Sequence, residues 1–145
     1  MTYKFYGHDS EPLKPINNEY HKIKNQRHLY DLLSDVWCME TCAPRMRKDW
    51  SKENKTLGQC SITAFLVQDI FGGEVYGVPL GDGNFHCFNV IGEVVFDLTS
   101  EQFGDVKLDY DHVKKQERAT HFSKKEKSQR YLLLKEKLKS ILKDA

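Results

Sequence analysis

Long hydrophobic runs are absent from this sequence. None of its apolar stretches approaches the roughly 20 residues that a helix needs to cross a bilayer. The first residues, MTYKFYGHDSEPLKP, contain no apolar core of the kind that a secretory signal peptide carries. The sequence therefore predicts a cytoplasmic protein with no membrane partner.

An excess of charge of one sign is also missing. Twenty-two Lys and Arg residues face 21 Asp and Glu residues, and the formal net charge is +1. Such a balance gives no overall field to attract nucleic acid, so we expect no nucleic-acid partner. The lysines from Ser123 onward are interpreted as the solvated face of an amphipathic helix.

Cysteine is scarce, with four residues in 145, and no internal repeat is present. Without a secretory signal, free thiols are expected rather than disulfides. The length suits one domain over residues 1–145. Residues 1–25 are polar and contain two prolines, which predicts an irregular arm before a folded core over residues 28–143.

The pattern of apolar residues predicts an α+β fold. Helical spacing favours helices over residues 29–41 and 123–143, and a mostly apolar run predicts a buried helix over Cys60–Phe71. Three strand-like runs, EVYGVPL, NFHCFNVI and EVVFDLT, lie between the buried helix and the helix over residues 123–143. We expect the buried helix to pack on a small antiparallel sheet, with the other helices flanking it.

The turn between the last two strands fixes which side chains share a face. With Gly92-Glu93 as a two-residue hairpin loop, side-chain alternation puts His86 and Asp97 on the same face of the sheet. The two residues are then diagonal neighbours within reach of a side-chain hydrogen bond. Asn89 points to the other face, so Asp97 is the predicted partner of His86.

Cys60 is expected at the N-terminus of the buried helix, where partial positive charge favours a thiolate. A histidine beside it would act as the base, and a carboxylate would orient that histidine. Cys60, His86 and Asp97 are therefore predicted to form a catalytic triad for acyl transfer on an amide or thioester. Gln59 and the Cys60 backbone N–H are candidate oxyanion donors.

Two alternatives remain at this stage. The same cleft could bind a peptide or small ligand without catalysis. Alternatively, Cys38 and Cys42, four residues apart on a predicted helix, could join Cys60 and His86 in a zinc site. Cys87 is next to His86 but is expected to face the opposite side of its strand. The leading interpretation requires no metal and no cofactor.

Four segments resemble the YunG-like family of bacterial proteins: W..ET from Trp37, GQCSITAFLVQDIFGGEV from Gly58, FHCFNVIGEVVFDLTSEQF from Phe85, and RYLLLKEKL from Arg130. More distantly, the order of a cysteine helix, a histidine strand and an aspartate strand is similar to papain-like and transglutaminase-like enzymes.

That second resemblance implies a papain-like core and a cysteine hydrolase or transferase acting on a peptide or small acyl substrate. The candidates for oxyanion or substrate binding are Gln59, Trp50 and Gln102.

Overall fold

The computed structural model describes residues 2–144 as an α+β fold. One antiparallel sheet of four strands and four α-helices make up the fold. The helices are α1 (Gln26–Ser34), α2 (Cys60–Phe71), α3 (Arg118–Phe122) and α4 (Lys125–Lys143). The strands are β1 (Glu74–Pro79), β2 (Phe85–Ile91), β3 (Val94–Phe96) and β4 (Lys114–Lys115), and their order in the sheet is β3-β2-β1-β4. Short 3-10 helices cover Asn18–Tyr20, Met39–Thr41, Pro44–Asp49 and Ser100–Phe103.

The β2–β3 hairpin has the predicted register. Ile91 pairs with Val94 and Asn89 pairs with Phe96, which leaves two residues in the loop. Gly92 has a positive φ of 61°, a conformation that a two-residue hairpin loop requires. Asn89 points away from the His86 face, as predicted, and donates to the backbone oxygen of Ala64 in α2 at 2.8 Å.

Helix α2 forms the centre of the core, and its bounds are those predicted. It packs on β2, and nine of its twelve residues are buried, including Phe65 and Leu66 with no exposed surface. Gly72, with φ of 85°, ends the helix. Within residues 2–144, no helix combines the length and apolar character needed to cross a membrane.

The first predicted helix is wrong at both ends, because α1 spans Gln26–Ser34 instead of residues 29–41. After Ser34 the chain turns, and the backbone N–H groups of Val36 and Trp37 both donate to Leu33. The indole of Trp37 is buried and donates to Thr63 in α2 at 3.0 Å. A tertiary contact therefore ends a helix that the apolar spacing alone would continue.

The C-terminal helix begins at Lys125, and a short helix, α3, that was not predicted precedes it. Helix α4 packs on α2 through buried leucines such as Leu134 and Leu138. Arg118 of α3 binds Asp69 of α2 at 2.5 Å, which holds α3 against the core.

The N-terminal arm is mostly irregular, yet it belongs to the core. Phe5, Tyr20 and Ile23 are almost completely buried in the same cluster as α2. Tyr6 forms a backbone bridge with Asp97, and the Asp97 N–H donates to the Tyr6 oxygen at 2.9 Å. The arm thus holds the end of β3 in place.

Candidate active site

The turn before α2 places Cys60 at the first position of the helix. Gly58 has φ of 71°, and a Cβ there would lie only 2.5 Å from Cys42 Sγ. The Ala43 N–H donates to the Gly58 oxygen at 3.0 Å, and the guanidinium of buried Arg130 donates to the Thr41 oxygen at 3.1 Å. Only glycine fits this turn, because a side chain would collide with Cys42. The close packing of Gly58 against the Cys42 segment therefore fixes where the helix begins.

Cys60 is partly exposed and lies beside β2, with Sγ 4.0 Å from the Phe85 carbonyl oxygen. Hydrogen bonding from the Cys87 side chain lowers the pKa of the Cys60 thiol most, burial raises it, and the His86 ring lowers it further. The result is a pKa well below the ordinary value of 9.0. The lowered pKa favours the thiolate form of Cys60 over the thiol.

His86 and Asp97 form a buried ion pair on the predicted face of the hairpin. His86 Nε2 donates to Asp97 Oδ2 at 2.6 Å, and each side chain is 1% exposed. Burial lowers the pKa of His86, but the Asp97 charge and hydrogen bond, helped by Cys60, raise it to about 10. His86 is thus an imidazolium at neutral pH.

Asp97 accepts hydrogen bonds through both carboxylate oxygens. Oδ2 also accepts from the Tyr110 hydroxyl at 2.7 Å, and Oδ1 accepts from the Thr99 N–H at 3.2 Å. Tyr110 stacks on Tyr6 with ring centroids 3.8 Å apart, which fixes its position. Tyr110 was not among the predicted site residues, because it reaches Asp97 from an irregular loop without a recognisable pattern.

The second nitrogen of the His86 ring, Nδ1, is not occupied by Asp97. His86 Nδ1 is buried and has no hydrogen-bond partner within residues 2–144. The edge contact of His86 with the Phe103 ring, at 4.7 Å between centroids, restricts the imidazole on another side. Because Asp97 occupies Nε2, the interaction of the ring with Cys60 is left to Nδ1.

A cleft of about 530 Å³ lies over this cluster. The residues of its lining that matter here are Cys60, His86, Gln102, Phe103, His121 and Lys127. Of the three residues predicted to bind oxyanion or substrate, only Gln102 lines the cleft, and its Nε2 donates to the Thr99 oxygen at 3.0 Å.

The side chains of Gln59 and Trp50 do not line this cleft. The Gln59 amide is completely buried and donates to the Cys38 oxygen at 3.0 Å. Trp50 donates to the Lys55 oxygen and lines a separate cavity beside α4. Both residues bond to backbone oxygens of their own loop between α1 and α2, and the partner of Gln59 lies 21 positions earlier in the chain, which its adjacency to Cys60 does not reveal.

Cys87 influences Cys60, although its side chain and that of His86 alternate along β2. Its side chain alternates away from His86, as predicted, and is buried against the core. Nevertheless, both its thiol and its backbone N–H interact with the Cys60 sulfur and lower the pKa of that thiol. Two consecutive residues of β2, His86 and Cys87, therefore both lower the pKa of Cys60 at the start of α2.

The cysteines of the loop after α1 are not brought to Cys60 in a metal site. Cys38 and Cys42 flank a single turn of 3-10 helix in extended conformations, so they do not share a helix face. Burial raises the pKa of the Cys42 thiol. In the described part of the chain, no group of three or more His, Cys, Asp or Glu residues could hold a metal ion.

Comparison with known proteins gives one family. A family model described as YunG protein matches residues 25–143. The uncharacterized protein YunG of Bacillus subtilis (strain 168) is 34% identical over 86 residues, which cover 59% of this chain and 69% of that protein. No solved structure matches the chain at a significant level.

Proposed function

The chain belongs to the YunG family, and we propose that it is a cysteine-dependent hydrolase or acyltransferase acting on an amide or thioester. The observation that carries this proposal is the buried His86–Asp97 ion pair beside a thiol of lowered pKa at the start of α2. The order of cysteine helix, histidine strand and aspartate also supports a papain-like layout for the core.

The resting enzyme in this proposal contains a thiolate–imidazolium pair. In such a pair Cys60 needs no separate deprotonation step before attack, since His86 holds the proton. The lowered pKa of Cys60 and the raised pKa of His86 support it. Asp97 holds the ring through Nε2, and Tyr110 and Thr99 keep Asp97 in place.

In the first step, the Cys60 sulfur attacks the acyl carbon and forms a C–S bond. The bond to the leaving amine or thiol breaks, and His86 gives its proton to that leaving group. In the second step, His86 takes a proton from water or another acceptor nucleophile, which attacks the thioester. The acyl product leaves, and Cys60 is regenerated as a thiolate with His86 protonated.

Hydrogen-bond donors must stabilise the negative charge that develops on the acyl oxygen during attack. The first N–H groups of an α-helix have no partner within the helix, and the partial positive charge there favours an anion. The Cys60 N–H at the start of α2 is the donor that remains from the predicted set, because the Gln59 amide is bound to Cys38.

Acyl-enzyme trapping tests the proposal directly. The purified protein is incubated with a panel of activated esters and thioesters and analysed by intact mass and peptide mapping. We expect acylation of Cys60 that turns over in the wild type, no acylation in Cys60→Ala, and a strong loss of rate in His86→Gln.

The non-catalytic alternative makes a different prediction in the same experiment. A binding protein has no use for a reactive thiol, so Cys60 would be acylated no faster than Cys38 across the panel. That result, in folded protein, would contradict the proposed function.

A further inference from the structure

The cleft over Cys60 carries an excess of positive charge. Its lining includes Arg45, Lys124 and Lys127, whereas its carboxylate is Glu126. Glu126 is already engaged, because it forms an ion pair with Arg130 of the same helix. Arg45 and Lys124 are exposed at the rim, so solvent screens their charges.

Lys127 differs from these rim cations because it is partly buried inside the cleft. Burial lowers the pKa of Lys127, whereas the nearby thiols Cys87 and Cys60 raise it. No carboxylate within residues 2–144 lies in ion-pair distance of its ammonium group, which contacts His121 Nδ1 at 2.9 Å. A partly desolvated ammonium without a carboxylate partner is costly.

The neutral His121 ring orients the Lys127 ammonium group without neutralising its charge. His121 Nε2 contacts Gln116 Oε1 at 2.8 Å, so Nε2 carries the proton and Nδ1 accepts from Lys127. Burial, followed by the charge of Lys127, lowers the pKa of His121 to about 4, which keeps the ring neutral. The Gln116–His121–Lys127 chain therefore holds in the cleft a positive charge that no carboxylate of the described residues pairs with.

We propose that Lys127 binds a carboxylate of the substrate, and that the substrates of Cys60 are acyl compounds with a negative charge near the scissile bond. This inference rests on the proposed function and specifies its substrate class. The single charge of the partly buried Lys127 ammonium matches the single charge of a carboxylate. Lysine binds an anion as a compact point charge and, unlike arginine, does not require the planar geometry of a two-bond contact. The bound carboxylate would supply the partner that Lys127 lacks.

Two alkylating reagents that differ mainly in charge test this proposal. Iodoacetate carries a carboxylate, iodoacetamide is neutral, and each loses iodide to the attacking sulfur. The rate of each at Cys60 is measured by peptide mapping, and their ratio is divided by the ratio for a cysteine peptide without charged neighbours. Any change in the pKa of Cys60 affects both reagents equally and cancels in the ratio.

We expect the normalised ratio to favour iodoacetate in the wild type and to fall about 3- to 10-fold in Lys127→Met, the effect of one charge several ångströms away. Lys127→Arg should retain most of the preference. Lys125→Met removes the same charge from the exposed side of α4, outside the cleft, and should leave the ratio unchanged.

An unchanged ratio in Lys127→Met, with normal iodoacetamide reactivity, would overturn the inference and leave the proposed nucleophile intact. An unreactive Cys60 toward both reagents in the wild type at mildly acidic pH would instead overturn the proposed function, and the inference with it.

Discussion

Two histidine–aspartate pairs in this molecule have the same contact distance and opposite surroundings. His86 and Asp97 are 2.6 Å apart and each is 1% exposed, whereas His112 and Asp109 are also 2.6 Å apart but are 87% and 58% exposed. Asp109 raises the pKa of His112 through a hydrogen bond and its charge, as Asp97 does for His86. Distance alone therefore does not distinguish a candidate site from a surface contact.

Burial and a third group make the difference. Water screens the exposed pair, so its contribution to stability is small. The buried pair has the Cys60 thiol next to it and a tyrosine on its carboxylate. Its second ring nitrogen, Nδ1 of His86, has no hydrogen-bond partner among residues 2–144. Matched substitutions in the two pairs separate these effects.

The largest effect is expected from Asp97→Asn. An amide cannot hold the imidazolium as the carboxylate does, and such changes in triads cost on the order of 10⁴ in turnover. The rate of Cys60 acylation by the best ester from the panel measures the loss. Asp109→Asn is the matched control and should leave that rate unchanged.

Thermal unfolding must accompany this comparison, since Asp97 is buried. Lost reactivity in a folded Asp97→Asn protein supports the orienting role. Unchanged acylation in a folded protein would leave Asp97 with no part in catalysis.

The pH dependence of stability gives the next largest effect. His86 has a raised pKa, so its contribution is complete below 6.5 and is lost as the pH rises through about 10. Cys60 has a lowered pKa, so its contribution is complete above 9.0 and is lost as the pH falls toward its folded value. Where these two pH ranges overlap, between 6.5 and 9.0, the two slopes have opposite signs and cancel.

We therefore expect a plateau when the free energy of unfolding of Cys60→Ala/His86→Gln is subtracted from that of the wild type. The difference should fall as the pH rises from 9.0 toward 10, by about 1.4 kcal/mol per pH unit where His86 alone titrates. Chemical denaturation across the pH range measures it. A steady decline across the plateau would mean that His86 is charged while Cys60 remains a neutral thiol.

A smaller effect is expected from Cys87→Ala. Loss of its hydrogen bond should raise the pKa of Cys60 and slow Cys60 alkylation at pH 5.5 by about tenfold, as for one hydrogen bond to a charged group. Cys87→Ser, which keeps a donor, should restore most of the rate. Cys42→Ala removes another buried thiol and should have no effect on Cys60; equal losses in the two alanine variants would point to general loosening of the core.

The parts of the structure that local rules determine were predictable from the sequence. Gly92-Glu93 fixed the hairpin register and with it the His86–Asp97 contact, and the apolar run ended by Gly72 defined α2. Both depend on residues close together in the chain.

Features that depend on distant partners were not predictable. Trp37 leaves the helical path to reach Thr63, and Gln59 turns from the cleft to reach Cys38. Tyr110 and Lys127 join the site from a loop and from the C-terminal helix. In each case, a hydrogen bond or charge across the fold outweighs the local pattern.

The pH profile of Cys60 alkylation by iodoacetamide, with each cysteine resolved by peptide mapping, tests the thiolate–imidazolium pair most directly. In the wild type, Cys60 should react fastest of the four cysteines and lose least of its rate as the pH falls to 5.5, because its pKa is lowered well below 9.0. His86→Gln should shift its profile to that of an ordinary thiol, whereas His112→Gln should not. A wild-type profile for Cys60 that coincides with those of Cys38 and Cys42 would contradict the account.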